Sequence, residues 1–198
     1  MIVLGLDPAF FPVMGVWLNR YATTGGRTFT RVRYPNIPSA GNARRGVEAL
    51  DRALHGTDGP LVVFGHSMGS QVAAKWLREI GPASDVDPAA VTWLLCGNPE
   101  RKYGGALCVA DTPRYWGPVQ ASYGGPGIPE DTPYTVVDYA RRGDFWADAP
   151  DPRSPFTLAG PGSQQVHCNY FSVGLDDPDV VSYTERTRTY KLQGGALK

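Results

Sequence analysis

Leu61-Val62-Val63-Phe64-Gly65-His66-Ser67-Met68-Gly69-Ser70 is the stretch whose reading decides the fold. An apolar run ends in Gly-x-Ser-x-Gly and passes into a helix-like segment, residues 71–80, which Gly81-Pro82 stops. Strand, tight turn and helix form a nucleophile elbow, where small residues beside the serine let the backbone turn sharply and push the hydroxyl out of the sheet. Gly65 and Gly69 supply that smallness, so Ser67 is the candidate nucleophile. The pentapeptide alone is a weak signal in a chain with 24 glycines; its flanks give it weight.

Outward from the elbow, residues 2–6, 91–96 and 134–140 read as strands, and residues 29–34 alternate like a more exposed strand. Residues 12–21 carry Val13, Val16 and Trp17 at helical spacing. A second helix runs from a cap at Ser39 or Asn42 to His55, with Val47, Leu50 and Leu54 on one face, and a last helix is expected to begin near Pro178 and fade past Tyr190. Nearly all-apolar strands alternating with helices predict an α/β fold, with a central, mostly parallel sheet carrying helices on both faces, in one domain over residues 1–198. Ligands then bind at the carboxyl ends of the strands. The Gly/Pro/aromatic segment 102–132 is a long excursion between two strands, as functional loops are.

The chain has 19 basic and 19 acidic side chains and no basic block longer than Arg44-Arg45 or Arg141-Arg142, a balance that excludes a nucleic-acid partner. Cys96, Cys108 and Cys168 lack metal-ligand spacing, so neither a metal nor another cofactor is expected, and buried thiols are expected rather than a disulfide. No signal peptide is read at the N-terminus, and no run approaches the ~18 apolar residues of a transmembrane segment. A soluble protein is therefore expected.

A serine hydroxyl needs a base, and histidine serves best near neutral pH. Of the three histidines, His66 adjoins the serine and leaves the turn in another direction, while His55 ends the helix at the opposite edge of the sheet. His167 remains, in a late loop, as the order Ser, acid, His requires. The acid lies beyond a strand end: Asp144 follows residues 134–140 by a short turn, Asp138 lies within that strand, and Asp148 and Asp151 compete from a solvated loop. The oxyanion hole would use the Met68 N–H and one donor from the loop after the first strand, at Leu6, Asp7 or Ala9, since Pro8 has no N–H. Tyr115, Trp116, Phe145 and Trp146, with Tyr103, Tyr123 and Tyr170, either pack long loops or line a substrate cleft.

With Ser67, Asp144 and His167 go Gly97-Asn98-Pro99-Glu100-Arg101, Tyr103-Gly104-Gly105, Pro129 to Tyr134, Gly143-Asp144-Phe145-Trp146-Ala147-Asp148 and Val166-His167-Cys168-Asn169-Tyr170. Over about residues 60–175 the chain resembles the mycobacterial PE-PPE-domain serine hydrolases, a cutinase-like branch of the α/β-hydrolases. The resemblance implies a serine carboxylester hydrolase with Asp144 and His167 as the triad partners of Ser67. Tyr34-Pro35, the Gly-Asn-Pro-x-Arg stretch and the Gly-Asp turn also resemble lysin B, the mycobacteriophage esterase that detaches mycolic acids from arabinogalactan. That likeness implies a lipid or acyl-ester substrate, mycolyl esters among them, association with a phage virion or tail, and a place in the host cytoplasm or the virion. Two rival expectations are a non-catalytic tail or lipid-binding protein that keeps the fold, and an acyltransferase.

Overall fold

The structure, a computed structural model, describes residues 1–109, 127–157 and 159–198. Seven strands form one sheet: β1 (Ile2–Leu6), β2 (Thr28–Arg31), β3 (Leu61–His66), β4 (Val91–Cys96), β5 (Thr135–Arg141), β6 (Val180–Glu185) and β7 (Arg188–Gln193). Their order is β2-β1-β3-β4-β5-β7-β6, and every pairing is parallel except that of the edge strand β6 with β7. All six residues of β3 are buried, as a strand covered on both faces requires.

Alternate residues of these strands enter two cores. Leu4, Val63, Trp93 and Leu95 meet the helices α2 (Ala40–His55) and α3 (Met68–Glu79) through Val47, Leu50, Val72 and Trp76. Trp76 stacks on Trp93 with centroids 5.0 Å apart, and truncating either fully buried indole to alanine would cost about 3–5 kcal/mol. On the other face Val3, Val62, Phe64 and Leu94 pack against Met14, Trp17, Leu18 and Tyr170. No helix of the described residues is long and apolar enough to cross a membrane.

Two elements depart from expectation. In the 12–21 segment only Trp17–Arg20 is assigned helical (α1), and Leu18 and Asn19 have left-handed angles. Tertiary bonds replace the helical ladder: Met14 N–H donates to Asp7 Oδ1, and Leu18 and Asn19 N–H donate to the carbonyls of Tyr170 and Phe171. The expected C-terminal helix is instead the β6–β7 hairpin. Arg188, Tyr190 and Leu192 alternate inward along β7, so the β-branched and aromatic residues of 180–192 follow a period of two. The thiols differ as well: Cys96 is buried, but Cys108 is only partly covered and Cys168 is exposed.

Candidate active site

At the carboxyl end of β3 the chain reverses at Ser67, whose φ of 53° and ψ of −116° lie outside the regions a serine ordinarily adopts. The neighbouring structure forces that strain. A Cβ on Gly69 would lie 2.0 Å from the Leu6 carbonyl oxygen, and one on Gly65 would lie 2.9 Å from Gly69 and Ser70 backbone atoms. The turn thus packs against β1 with no room for side chains, and α3 begins at Met68, immediately after the serine. First-turn N–H groups of a helix have no intrahelical acceptor, which leaves the Met68 N–H at the positive end of α3.

Asp144 and His167 reach Ser67 through one shared anchor. After β5 the chain turns at Gly143 (φ 79°), and the Ser163 N–H donates to the Gly143 carbonyl. Ser163 also caps the short helix α4 (Gln164–His167), its hydroxyl accepting from the Gln165 N–H at 3.1 Å. One residue therefore holds the Asp144 turn and starts the helix that ends in His167.

The Ser67 Oγ lies 2.9 Å from His167 Nε2, and His167 Nδ1 lies 2.9 Å from Asp144 Oδ1. Asp144 is fully buried, and burial opposes its ionisation. The His167 charge and hydrogen bonds from His167, Tyr170 and the Trp146 backbone outweigh burial and hold its carboxyl below the usual range. An ionised carboxylate only accepts, so Nδ1 of His167 is the donor to Asp144, and in the neutral imidazole Nε2 is then the acceptor that faces the serine hydroxyl.

The competing acids are engaged elsewhere, and neither is solvated. Asp148 is buried, accepting from Gly143 N–H at 2.8 Å and facing Arg142, and Asp151 is buried against Arg153. Asp138, within β5, accepts from Asn98 Nδ2 at 3.0 Å and faces Arg101. His55 bonds Asp85 and the Asp51 carbonyl at the far end of α2. His66 is buried with its ring centroid 4.8 Å from that of His167; burial and then the His167 charge push its imidazole well below the usual histidine range, so it stays neutral.

Ser67, Met68 and His167 open into a cavity of about 460 Å³ whose walls include Trp17, Phe11, Trp146 and Phe171. Trp146 is steered there by a 2.8 Å bond from its Nε1 to Gln164 Oε1. Phe145 packs edge-on against Trp146 at 5.5 Å and is not a wall residue, because the turn at Asp144 sends consecutive side chains in different directions. Tyr115, Trp116 and Tyr123 lie outside the described residues. Leu6 ends β1 in register with Gly65, whereas Asp7 is the first residue beyond the strand, its carboxylate held by Met14 N–H and Arg31.

Two residues carry roles that the sequence reading did not assign. Tyr170, counted there only as a loop aromatic, is buried and donates its hydroxyl to Asp144 Oδ2 at 2.6 Å, while accepting from the Arg141 N–H at 3.2 Å. Burial and the Asp144 charge raise its phenol well above the usual range, so it remains a donor. Gly97, with φ 52°, lies under Asp144 and His167: a Cβ there would stand 2.8 Å from His66 Nε2 and 3.1 Å from both Asp144 Oδ2 and His167 Cε1. The glycine of Gly-Asn-Pro directly after a buried strand was the available signal.

Residues 27–189 match the family model of the PE-PPE domain. Among solved structures, a cutinase-like protein from Cryptococcus sp. superposes with a TM-score of 0.56 at 19% identity, covering 86% of each chain. A protein described as a YdeN-like hydrolase from Pectobacterium atrosepticum gives a TM-score of 0.45 at 14% identity, over 73% of this chain and 65% of that one. No curated protein matches.

Proposed function

Because the chain belongs to the PE-PPE domain family, and shares the cutinase-like α/β-hydrolase fold, we propose that it is a serine carboxylester hydrolase acting on lipid esters. The observation that carries the proposal is the continuous relay from Ser67 Oγ through His167 to Asp144, with both contacts at 2.9 Å.

In this mechanism the Ser67 oxygen attacks the ester carbonyl while His167 Nε2 takes its proton, and Asp144 stabilises the resulting imidazolium. The oxyanion is received by the Met68 N–H and a second donor from the loop after β1, where Asp7 and Ala9 stand clear of the strand register that holds Leu6 and Ala9 lines the cavity. His167 returns the proton to the leaving alcohol, and the acyl group remains on Ser67. Water, deprotonated by His167, attacks the acyl carbon; the bond to Ser67 Oγ breaks, His167 passes the proton to that oxygen, and the acid leaves. The aromatic walls beside Ser67 favour an acyl chain over a polar substituent.

A chain-length series of p-nitrophenyl esters, extended to mycolyl-arabinogalactan as the substrate suggested by the lysin B likeness, tests chemistry and substrate together. Wild type should turn over the esters with a preference for longer chains, and Ser67→Ala should lose at least about 10³-fold in kcat/KM. Full turnover by Ser67→Ala would refute the proposal.

A further inference from the structure

The exposed apolar surface of the chain is not scattered. Among the described residues, the exposed large apolar side chains apart from Met1 and Leu197 near the termini are Phe10, Phe11, Val16, Ile37 and Phe171. Phe10, Phe11 and Phe171 line the mouth of the catalytic cavity, and Ile37 adjoins Pro38, which also lines it. Phe10, Phe11 and Ile37 are 64%, 61% and 60% exposed, too much for side chains serving only a cavity wall.

The surface is built rather than left over. Phe10 has φ 69°, a left-handed conformation costly for a bulky residue. Its N–H is held by the Asn36 carbonyl at 3.1 Å, Asn36 Nδ2 donates back to Pro8, and the Tyr34 hydroxyl donates to the Asp7 carbonyl at 2.6 Å. Two loops are thus laced into a platform that turns its aromatic and aliphatic side chains outward.

Charge accompanies it. Residues 8–47 contain six arginines and no acidic residue, although the whole chain has 19 charges of each sign. Arg31 is matched by Asp7, and Arg44 lies 3.7 Å from Glu48 one turn along α2, in a pair open to solvent. Arg33 follows β2 at the cavity end of the sheet, and Arg44 and Arg45 occupy the start of α2 just beyond Pro38; all three are exposed. Overall neutrality hides this local cationic collar. A two-fold contact with a second copy would set these arginines against themselves, so self-association is disfavoured.

We infer that this rim docks the protein on an anionic lipid surface, the apolar side chains entering the acyl boundary while Arg33, Arg44 and Arg45 meet anionic headgroups. The inference rests on the esterase reading only in naming what the docked cavity receives, since docking itself requires no chemistry.

The test is sedimentation of the Ser67→Ala protein with phosphatidylcholine vesicles, with and without phosphatidylglycerol. Anionic vesicles should bind at least roughly tenfold more tightly, and raising NaCl from about 0.05 to about 0.5 M should remove most of that preference. Arg33→Glu/Arg44→Glu/Arg45→Glu should abolish the preference, and Phe10→Ser/Phe11→Ser/Ile37→Ser should weaken binding to both vesicles at least about tenfold, with thermal unfolding reporting that each variant folds. Equal, salt-independent binding to both vesicles by the Ser67→Ala protein overturns the inference whatever the variants do. So does undiminished binding by a folded apolar triple variant, or sedimentation velocity showing that the rim mediates a dimer. Turnover of soluble p-nitrophenyl butyrate by wild type tests the esterase reading separately.

Discussion

Tyr170→Phe removes a single oxygen and so isolates one interaction of Asp144, the proposed triad acid. In the native protein that oxygen lies 2.6 Å from Asp144 Oδ2 and accepts the Arg141 N–H. A hydrogen bond to a charged group contributes about 1.5–3 kcal/mol, and this one is fully buried. At ~2–4 °C per kcal/mol for a chain of this size, Tm should fall by about 3–12 °C. The catalytic consequence has a definite sign. Losing a donor makes the Asp144 carboxylate more basic, which strengthens its hold on the His167 imidazolium and moves the acidic limb of the kcat/KM profile to higher pH. A carboxylate with one fewer restraint also holds the imidazole less firmly, and a drop of about tenfold in kcat/KM corresponds to about 1.4 kcal/mol of lost transition-state stabilisation. Both effects are read on a soluble p-nitrophenyl ester across the pH range. A variant with reduced Tm whose pH profile superimposes on that of wild type would show that Tyr170 only packs the core, refuting its positioning role.

Asp144→Asn should lower kcat by about 10³–10⁴-fold in the same assay, because the amide offers a donor where Trp146, Ala147, Tyr170 and His167 all donate. Gly97→Ala should cost about 100-fold in kcat while leaving the circular dichroism spectrum native, since its methyl group would press on three triad-region atoms from a strained backbone angle. Glu100 gives a test of stability against pH. Burial raises its carboxyl from the ordinary 4.5 to about 7, against the opposing pull of Arg78 at 2.8 Å. The folded state therefore binds this proton more tightly than the unfolded chain, and stability is lost as pH rises from the unfolded value through about 7. The Tm of Glu100→Gln relative to wild type should accordingly improve between about pH 5 and about pH 8, and a difference that stays flat would contradict the assignment.

What could be read from the sequence were features encoded within a few residues. The elbow was legible because Gly65, Ser67 and Gly69 act on one turn, and the strands of the inner sheet because each is an unbroken apolar run. Residues 178–192 misled because apolar and β-branched residues recur there at spacings compatible with either period, and the choice was made by β5, beside which Tyr190 and Leu192 are buried. The 12–21 segment misled for the same kind of reason, since bonds to Asp7, Tyr170 and Phe171 replaced the helical ladder. Tyr170 could not be recognised as the partner of Asp144 because 26 residues separate them and nothing in the intervening stretch records their distance. That distance is set by Ser163, which ties Gly143 to the start of α4. A seryl backbone contact and a short capped helix thus do for the acid and the base what the Gly-x-Ser-x-Gly turn does for the nucleophile. The turn leaves a pattern in the residue types, because steric crowding at Gly65 and Gly69 forbids every side chain larger than hydrogen within five residues of chain.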